Sequence, residues 1–321
     1  MKTIRSLALA AATLALVLSG CSRQKDAGDQ RIVLGFSQIG AESEWRTANT
    51  ESIKSAATTS NIDLRFADAQ QKQENQIKAL RNFIAQKVDV IAFSPVVATG
   101  WDTVLMEARD AHIPVILTDR AVSADPSLYA GFLGSDFVEE GRKAGRWVLE
   151  EFKGSTSPVN IVELQGTVGA APAIDRKKGF EEIIAADARF QIIRSQSGDF
   201  TRSKGKEAME AILKSESRKI QLLYAHNDDM AIGAIQAIEE AGLRPGKDIK
   251  IVSIDAVKGA FEAMIAGKLN ATIECNPLLG PQLMTSVAEV VAGRPIAKRI
   301  VVEETMFTMD TAKQFIQTRK Y

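Results

Sequence analysis

Short apolar runs rich in isoleucine and valine recur along this chain, each giving way to a stretch in which apolar residues return every three or four positions. The runs occupy residues 32–37, 62–67, 88–93 and 113–117 and then, after about Gly134, residues 159–164, 190–194, 222–225, 249–254 and 271–274. Such a run reads as a strand buried on both faces, and the three-to-four spacing reads as an amphipathic helix. Between residues 71 and 87, Ile77, Leu80 and Ile84 make one buried stripe; between 229 and 240, Ala231, Ile235 and Ile238 make another. Strand and helix alternate through two successive series. The pattern predicts an α/β fold of two similar lobes, each with a doubly wound parallel sheet.

The polar residues that end these runs carry the functional reading. Asp119 and Arg120 follow the run at 113–117, Asn227 follows 222–226, and Asp255 follows 249–254. Open α/β sheets bind ligands at the carboxyl ends of their strands, so hydrogen-bonding side chains gathered there predict one shared polar site. Each has a structural reading beside the functional one. Asp119 with Arg120 could be an ion pair, Asn227 could cap the helix that follows, and Asp255 could cap a helix starting near Val257. Arg176 lies in a charged run at 175–178 that could be a solvated helix face, and Trp45 could be core. Phe200 reads as packing, and Cys275 as a small buried residue.

The first 20 residues change the picture of where this happens. Lys2 and Arg5 precede a nearly continuous apolar run at 7–18, which ends in Leu18, Ser19, Gly20 and Cys21. The run has about a dozen residues where a spanning helix needs about 20, so it reads as an export signal. Leu18 to Cys21 also resembles a lipoprotein box, with Cys21 the acylated first residue of the mature chain. Residues 22–30 are then a polar tether. Forty basic and 40 acidic residues cancel, without blocks of like charge, which argues against nucleic acid as a partner. Apart from Cys21 the one cysteine is Cys275, so no internal disulfide is expected.

Enzymatic motifs are missing from the sequence. It holds no Gly-x-Ser-x-Gly, no His-Glu-x-x-His, no phosphate-binding Gly-x-x-x-x-Gly-Lys-Ser/Thr and no Gly-x-Gly-x-x-Gly, and its two histidines, His112 and His226, stand far apart. No cofactor, metal or catalysis is expected. Asp119 and Asp255 could in principle form the carboxyl pair of a glycosidase, but arginine beside such a group should keep it ionised and an acceptor.

Several strings together resemble one family closely: Thr118-Asp119-Arg120, Val162-Glu163-Leu164-Gln165-Gly166, Ala173-Ile174-Asp175-Arg176-Lys177-Lys178-Gly179-Phe180, Ala225-His226-Asn227-Asp228-Asp229-Met230 and Ser253-Ile254-Asp255. They resemble the periplasmic sugar-binding proteins of ABC importers, ribose-binding type, over residues 31–321. Within that family, Gly35 to Trp45 and the string Gln196-Ser197-Gly198-Asp199-Phe200-Thr201-Arg202 are most similar to the galactofuranose-binding kind. The resemblance implies a periplasmic binding protein type I fold with a three-strand hinge. It implies a first lobe of residues 31–133 with 276–303, and a second of 134–275 with 304–321. It places Trp45, Arg46, Asp119 and Arg120 on one wall of the cleft and Arg176, Asn227 and Asp255 on the other. Ribose-binding members carry adjacent phenylalanines where this chain has Trp45 and Arg46, which turns the expected ligand from ribopyranose toward a furanose such as galactofuranose. The implied partners are that sugar and the permease and ATP-binding subunits of an inner-membrane importer, with the protein a monomer. A sensor or chemotaxis receptor is the alternative; a repressor core is disfavoured by the export signal.

Overall fold

The computed structural model describes residues 31–216 and 219–321; the export segment, Cys21 and the tether lie outside the described residues. Strands β1 (Val33–Gln38), β2 (Asp63–Asp68), β3 (Val90–Phe93), β4 (Val115–Thr118) and β5 (Gly131–Gly134) pair in the order β2-β1-β3-β4-β5. Strands β6 (Val159–Gln165), β7 (Phe190–Ser197), β8 (Leu222–Ala225), β9 (Lys250–Asp255) and β10 (Ala271–Glu274) repeat that order as β7-β6-β8-β9-β10. Each sheet gains a sixth strand from the end of the chain: β11 (Arg299–Val301) runs parallel beside β5, and β12 (Met306–Thr308) antiparallel beside β10. These are two α/β lobes with parallel sheets, as the pattern predicted. In both, the strand order reverses beside the first strand, which opens a crevice at the carboxyl ends.

The runs are continuous rather than alternating because each sheet is covered on both faces. In β3, Val90 and Ala92 join Leu34, Phe36, Ile53 and Leu283 in one core, while Ile91 and Phe93 join Trp101 and Leu105 in the other. Helices α1 (Glu44–Thr59) and α9 (Gly280–Val291) cover the first face; α2 (Gln73–Gln86) and α3 (Asp102–Asp110) cover the second. The strand expected from residue 113 begins at Val115: Pro114 has no N–H, and only its carbonyl joins the ladder, accepting from Ile91 N at 3.0 Å. Strand β5 includes Gly134, one residue past the expected lobe boundary, since Gly134 pairs with Val301.

The second lobe adds α4 (Phe137–Glu151), α5 (Ala171–Ile184), α6 (Arg202–Glu216), α7 (Asp228–Glu240), α8 (Lys258–Ile265) and the short α10 (Ala312–Phe315). Helices α4 and α5 approach at backbone contact, because a Cβ at Gly141 would stand 2.1 Å from Arg176 O and one at Gly179 would stand 1.9 Å from Val138 O. That approach brings Glu140 of α4 to Arg176 of α5.

The chain passes from one sheet to the other after β5, after β10 and between β11 and β12. All three passages meet at one carboxyl. Ser135 Oγ donates to Glu304 Oε1 at 2.5 Å, and Asn276 N donates to the same oxygen at 3.1 Å. Burial, and then the nearby Glu140 carboxylate, push the Glu304 pKa up to about 9. Cys275 is a free thiol buried at the second passage.

Candidate functional site

Between the carboxyl ends of the two sheets lies a cavity with about 290 Å³ of empty space. Its walls include all seven expected residues, Trp45, Arg46, Asp119, Arg120, Arg176, Asn227 and Asp255. Glu42, Ser43, Phe137, Pro172, Phe200 and Cys275 complete it.

On the first lobe, β1 leads through a short loop into α1, capped by Ser43 Oγ, which accepts from Arg46 N at 3.1 Å. The first turn of α1 therefore points Trp45 and Arg46 back at the sheet end. Arg46 is the hub of this wall: Nη2 donates to Asp119 Oδ2 at 2.8 Å, Nε to Glu42 Oε1 at 3.1 Å, and Nη1 to Gln38 Oε1 at 3.3 Å. Ser94 Oγ also donates to Asp119 Oδ2, at 2.8 Å, whereas Oδ1 has no hydrogen-bond partner among the described residues. Burial opposes the charge of Asp119, but Arg46 and Arg120 outweigh it and hold the pKa below the usual carboxylate range. Asp119 is thus a fixed acceptor. Its main partner is Arg46 rather than its neighbour Arg120, whose Nε lies 3.7 Å away.

Arg120 is bound loosely for a buried cation. Nη1 donates to Val96 O at 3.0 Å, and Nε is buried with no partner among the described residues. Burial, and then repulsion from Arg46, pull its pKa down to about 10. Its guanidinium sits 5.1 Å from the centre of the Phe200 ring, which belongs to the opposite lobe. Trp45 is both core and wall: it is buried, its Nε1 donates to Cys275 O at 2.6 Å, and Arg46 lies 4.6 Å over its ring.

On the second lobe Arg176 is no solvated residue. It is 3% exposed, donating from Nε to Glu140 Oε2 at 2.7 Å and from Nη1 to His226 O at 2.5 Å. Burial disfavours its charge, yet Glu140 foremost raises its pKa and keeps it a cation. Asn227 does cap α7: Oδ1 accepts from Met230 N at 3.0 Å, and Nδ2 donates to Phe200 O at 3.1 Å, leaving one amide hydrogen for the cavity. Phe200 packs as expected, its ring filling the place where a Gly166 Cβ would be, and it also lines the cavity.

Two expectations for Asp255 are corrected. It does not cap α8, which has no side-chain cap, and the N–H of Val257 just before that helix donates to Asp228 Oδ2 at 2.9 Å. Nor does arginine keep it ionised: Arg176 Nη2 is 3.5 Å from Oδ1, and burial, the larger effect, raises the Asp255 pKa well above normal. The cavity thus faces an ionised carboxylate on one wall with a carboxyl that favours its proton on the other. Both stand on backbone that L-residues rarely adopt, with φ of +61° at Asp119, +126° at Asp255 and +57° at Ala256. Such residues cost about 1–3 kcal/mol each and persist where the surroundings hold them.

Glu42 escaped the sequence reading. Its side chain is 3% exposed, yet Oε2 has no hydrogen-bond partner among the described residues. The available signal was its place in the loop between the first strand and Ser43, the residue that caps α1. His226 stands beside the site, with Nε2 3.1 Å from Glu163 Oε1.

Two α/β lobes around a polar cavity, with its walls shared between them, define a bilobal solute-binding protein. The chain belongs to the periplasmic binding protein domain family, which it matches over residues 34–295. It is 52% identical over 293 residues to the galactofuranose-binding protein YtfQ of Escherichia coli K12, covering 90% of this chain and 92% of that one. A Mycobacterium smegmatis crystal structure in complex with β-D-fucofuranose is 56% identical and superposes with a TM-score of 0.89, covering 90% and 95% of the two chains. Another M. smegmatis structure, 53% identical and covering 91% and 95%, superposes at only 0.69. These relatives are named for binding, not for catalysis. Among the described residues no helix is long and apolar enough to cross a membrane.

Proposed function

We propose that the protein captures a single furanose sugar, galactofuranose or a close analogue, between its lobes and delivers it to an ABC importer. The observation that carries this reading is the composition of the cavity: all seven predicted polar and aromatic residues line one small space between the carboxyl ends of the two sheets. Asp119 Oδ1 and Glu42 Oε2 accept from hydroxyls, Arg120 and Arg176 donate, Asn227 gives its remaining amide hydrogen, and the Asp255 carboxyl adds a further polar contact. Trp45 and Phe200 cover the C–H faces. Residues 31–133 with 276–303 and residues 134–275 with 304–321 act as the two jaws, and the Glu304 junction is where they bend. The fall in TM-score from 0.89 to 0.69 at nearly constant identity supports this, since lobes of unchanged interior set at another angle would produce it.

The names of the relatives that bind furanoses support the sugar class. Cys21 fixes the protein to the membrane by acylation, and it works there as a monomer. Calorimetry with galactose locked as its furanoside and as its pyranoside tests the reading. Saturable binding of the furanoside alone is expected, and preference for the pyranoside overturns it.

A further inference from the structure

The lobes touch each other outside the sugar cavity as well as through it. At the amino end of α1, Glu44 N, on the first lobe, donates to Asp229 Oδ2, on the second, at 2.8 Å. Asp229 is held for that contact by Arg202, whose Nε and Nη2 donate to Oδ1 at 3.1 and 2.9 Å, while the same Nη2 lies 3.8 Å from Glu44 Oε2. Burial, and then repulsion from Asp229, raise the pKa of the Glu44 carboxyl, while the backbone of Gly259, in the first turn of α8, and Arg202 work the other way. A free N–H at a helix start favours an anion, and here the second lobe supplies the carboxylate, Asp229, that meets the start of α1 on the first. A second contact joins Ala98 N of the first lobe to Gly169 O of the second at 2.9 Å. Neither Asp229, Arg202, Ala98 nor Gly169 lines the cavity.

We infer that Asp229, locked by Arg202 and received by the amino end of α1, is a latch that sets the affinity of the protein without touching its ligand. In the open form Glu44 N and Asp229 return to water, so the bond contributes only to the closed state. A ligand that needs closure then binds more tightly by the factor by which the latch favours closing, and that factor is the same for every ligand. The inference rests on closure around a ligand but not on which sugar fills the cavity.

The test uses the full mature chain with Asp229→Ala, Asp229→Asn and Arg202→Met. Removing one charge-assisted bond at a rim predicts a loss of roughly 5- to 30-fold in affinity. Asp229→Ala should therefore weaken the galactofuranoside and an arabinofuranoside by one common factor. Asp229→Asn, which keeps an acceptor oxygen, should lose less, and Arg202→Met should fall between wild type and Asp229→Ala. Spin labels at Glu51 and Lys214, exposed positions on the two lobes, report closure directly by pulsed distance measurement. Without any sugar, Asp229→Ala should hold a smaller closed fraction than wild type. Unchanged distances without sugar together with unchanged affinities overturn the latch, even if the sugar is not a furanose. A change in the ratio of the two affinities also overturns it, because Asp229 would then be acting through the cavity.

Discussion

Replacing Arg120 by alanine separates ligand binding from folding, because this guanidinium does little for the protein that carries it. Within its lobe it makes one hydrogen bond, to Val96 O, its Nε has no hydrogen-bond partner among the described residues, and its pairing with Asp119 is loose, at 3.7 Å. Its charge is already disfavoured by burial and by Arg46. Loss of the Val96 bond, from a charged donor, costs roughly 1.5–3 kcal/mol, and relief of the repulsion from Arg46 works the other way, so the melting temperature should fall by less than about 12 °C. Toward the sugar the balance differs. A hydrogen bond from a charged donor contributes roughly 1.5–3 kcal/mol, which is about 10- to 150-fold in Kd. The stack on Phe200 exists only when the lobes are shut, and it adds about 0.5–1 kcal/mol to closure. Calorimetry on Arg120→Ala should therefore show a Kd raised toward the upper end of that range in a protein that still folds and melts cooperatively. Arg176→Ala provides the contrast. It strands the buried Glu140 carboxylate, whose Oε2 is held by Arg176 and whose Oε1 has no partner among the described residues. Breaking such a pair costs about 3–5 kcal/mol of stability, so this variant should melt far lower and says little about the sugar. Wild-type affinity in folded Arg120→Ala would refute the site as drawn.

The hinge carboxyl gives stability a pH dependence. Glu304 keeps its proton in the folded chain up to about pH 9 but releases it above about 4.3 when unfolded. The folded state therefore binds more protons between those values, and stability from this group falls as pH rises through that window. Glu304→Gln, which retains the acceptor for Ser135 and Asn276, should flatten the decline in melting temperature between about pH 4.3 and 9; an unchanged slope contradicts a carboxyl that keeps its proton at the junction. At the other end of the chain, mass spectrometry of membrane-extracted protein should find a lipid on Cys21, and Cys21→Ser should block processing or release the protein. An unmodified amino terminus downstream of Cys21 rules the anchor out.

Strand positions were legible because burial on both faces leaves unbroken apolar runs, and 222–225 and 271–274 fall on β8 and β10 to the residue. Strands β11 and β12 were not, since three residues with exposed Arg299 and Val301 carry no apolar run; they are strands only because a sheet edge receives them. Strand-end polar residues pointed to the cavity through topology alone. Their chemistry was less visible. That Asp119 is an ionised acceptor while Asp255 favours its proton depends on Arg46 standing 2.8 Å from one, and on burial outweighing Arg176 at the other. The cap at Asn227 followed from its place before a helix, whereas α8 has no side-chain cap, and Asp228 takes only the N–H of Val257 just before it. Glu42 was invisible because its burial comes from Arg46, not from any periodic pattern.

Closure around the sugar is the claim on which the rest depends. Half the cavity's hydrogen-bonding groups come from each lobe, so the complete set forms only in the shut protein. Small-angle X-ray scattering of the mature chain, with and without saturating galactofuranoside, measures this directly. The account predicts a smaller radius of gyration with the sugar and a ligand-bound curve that matches the compact, closed structure described above. An identical radius of gyration in both states, at a sugar concentration shown by calorimetry to saturate the site, would contradict it.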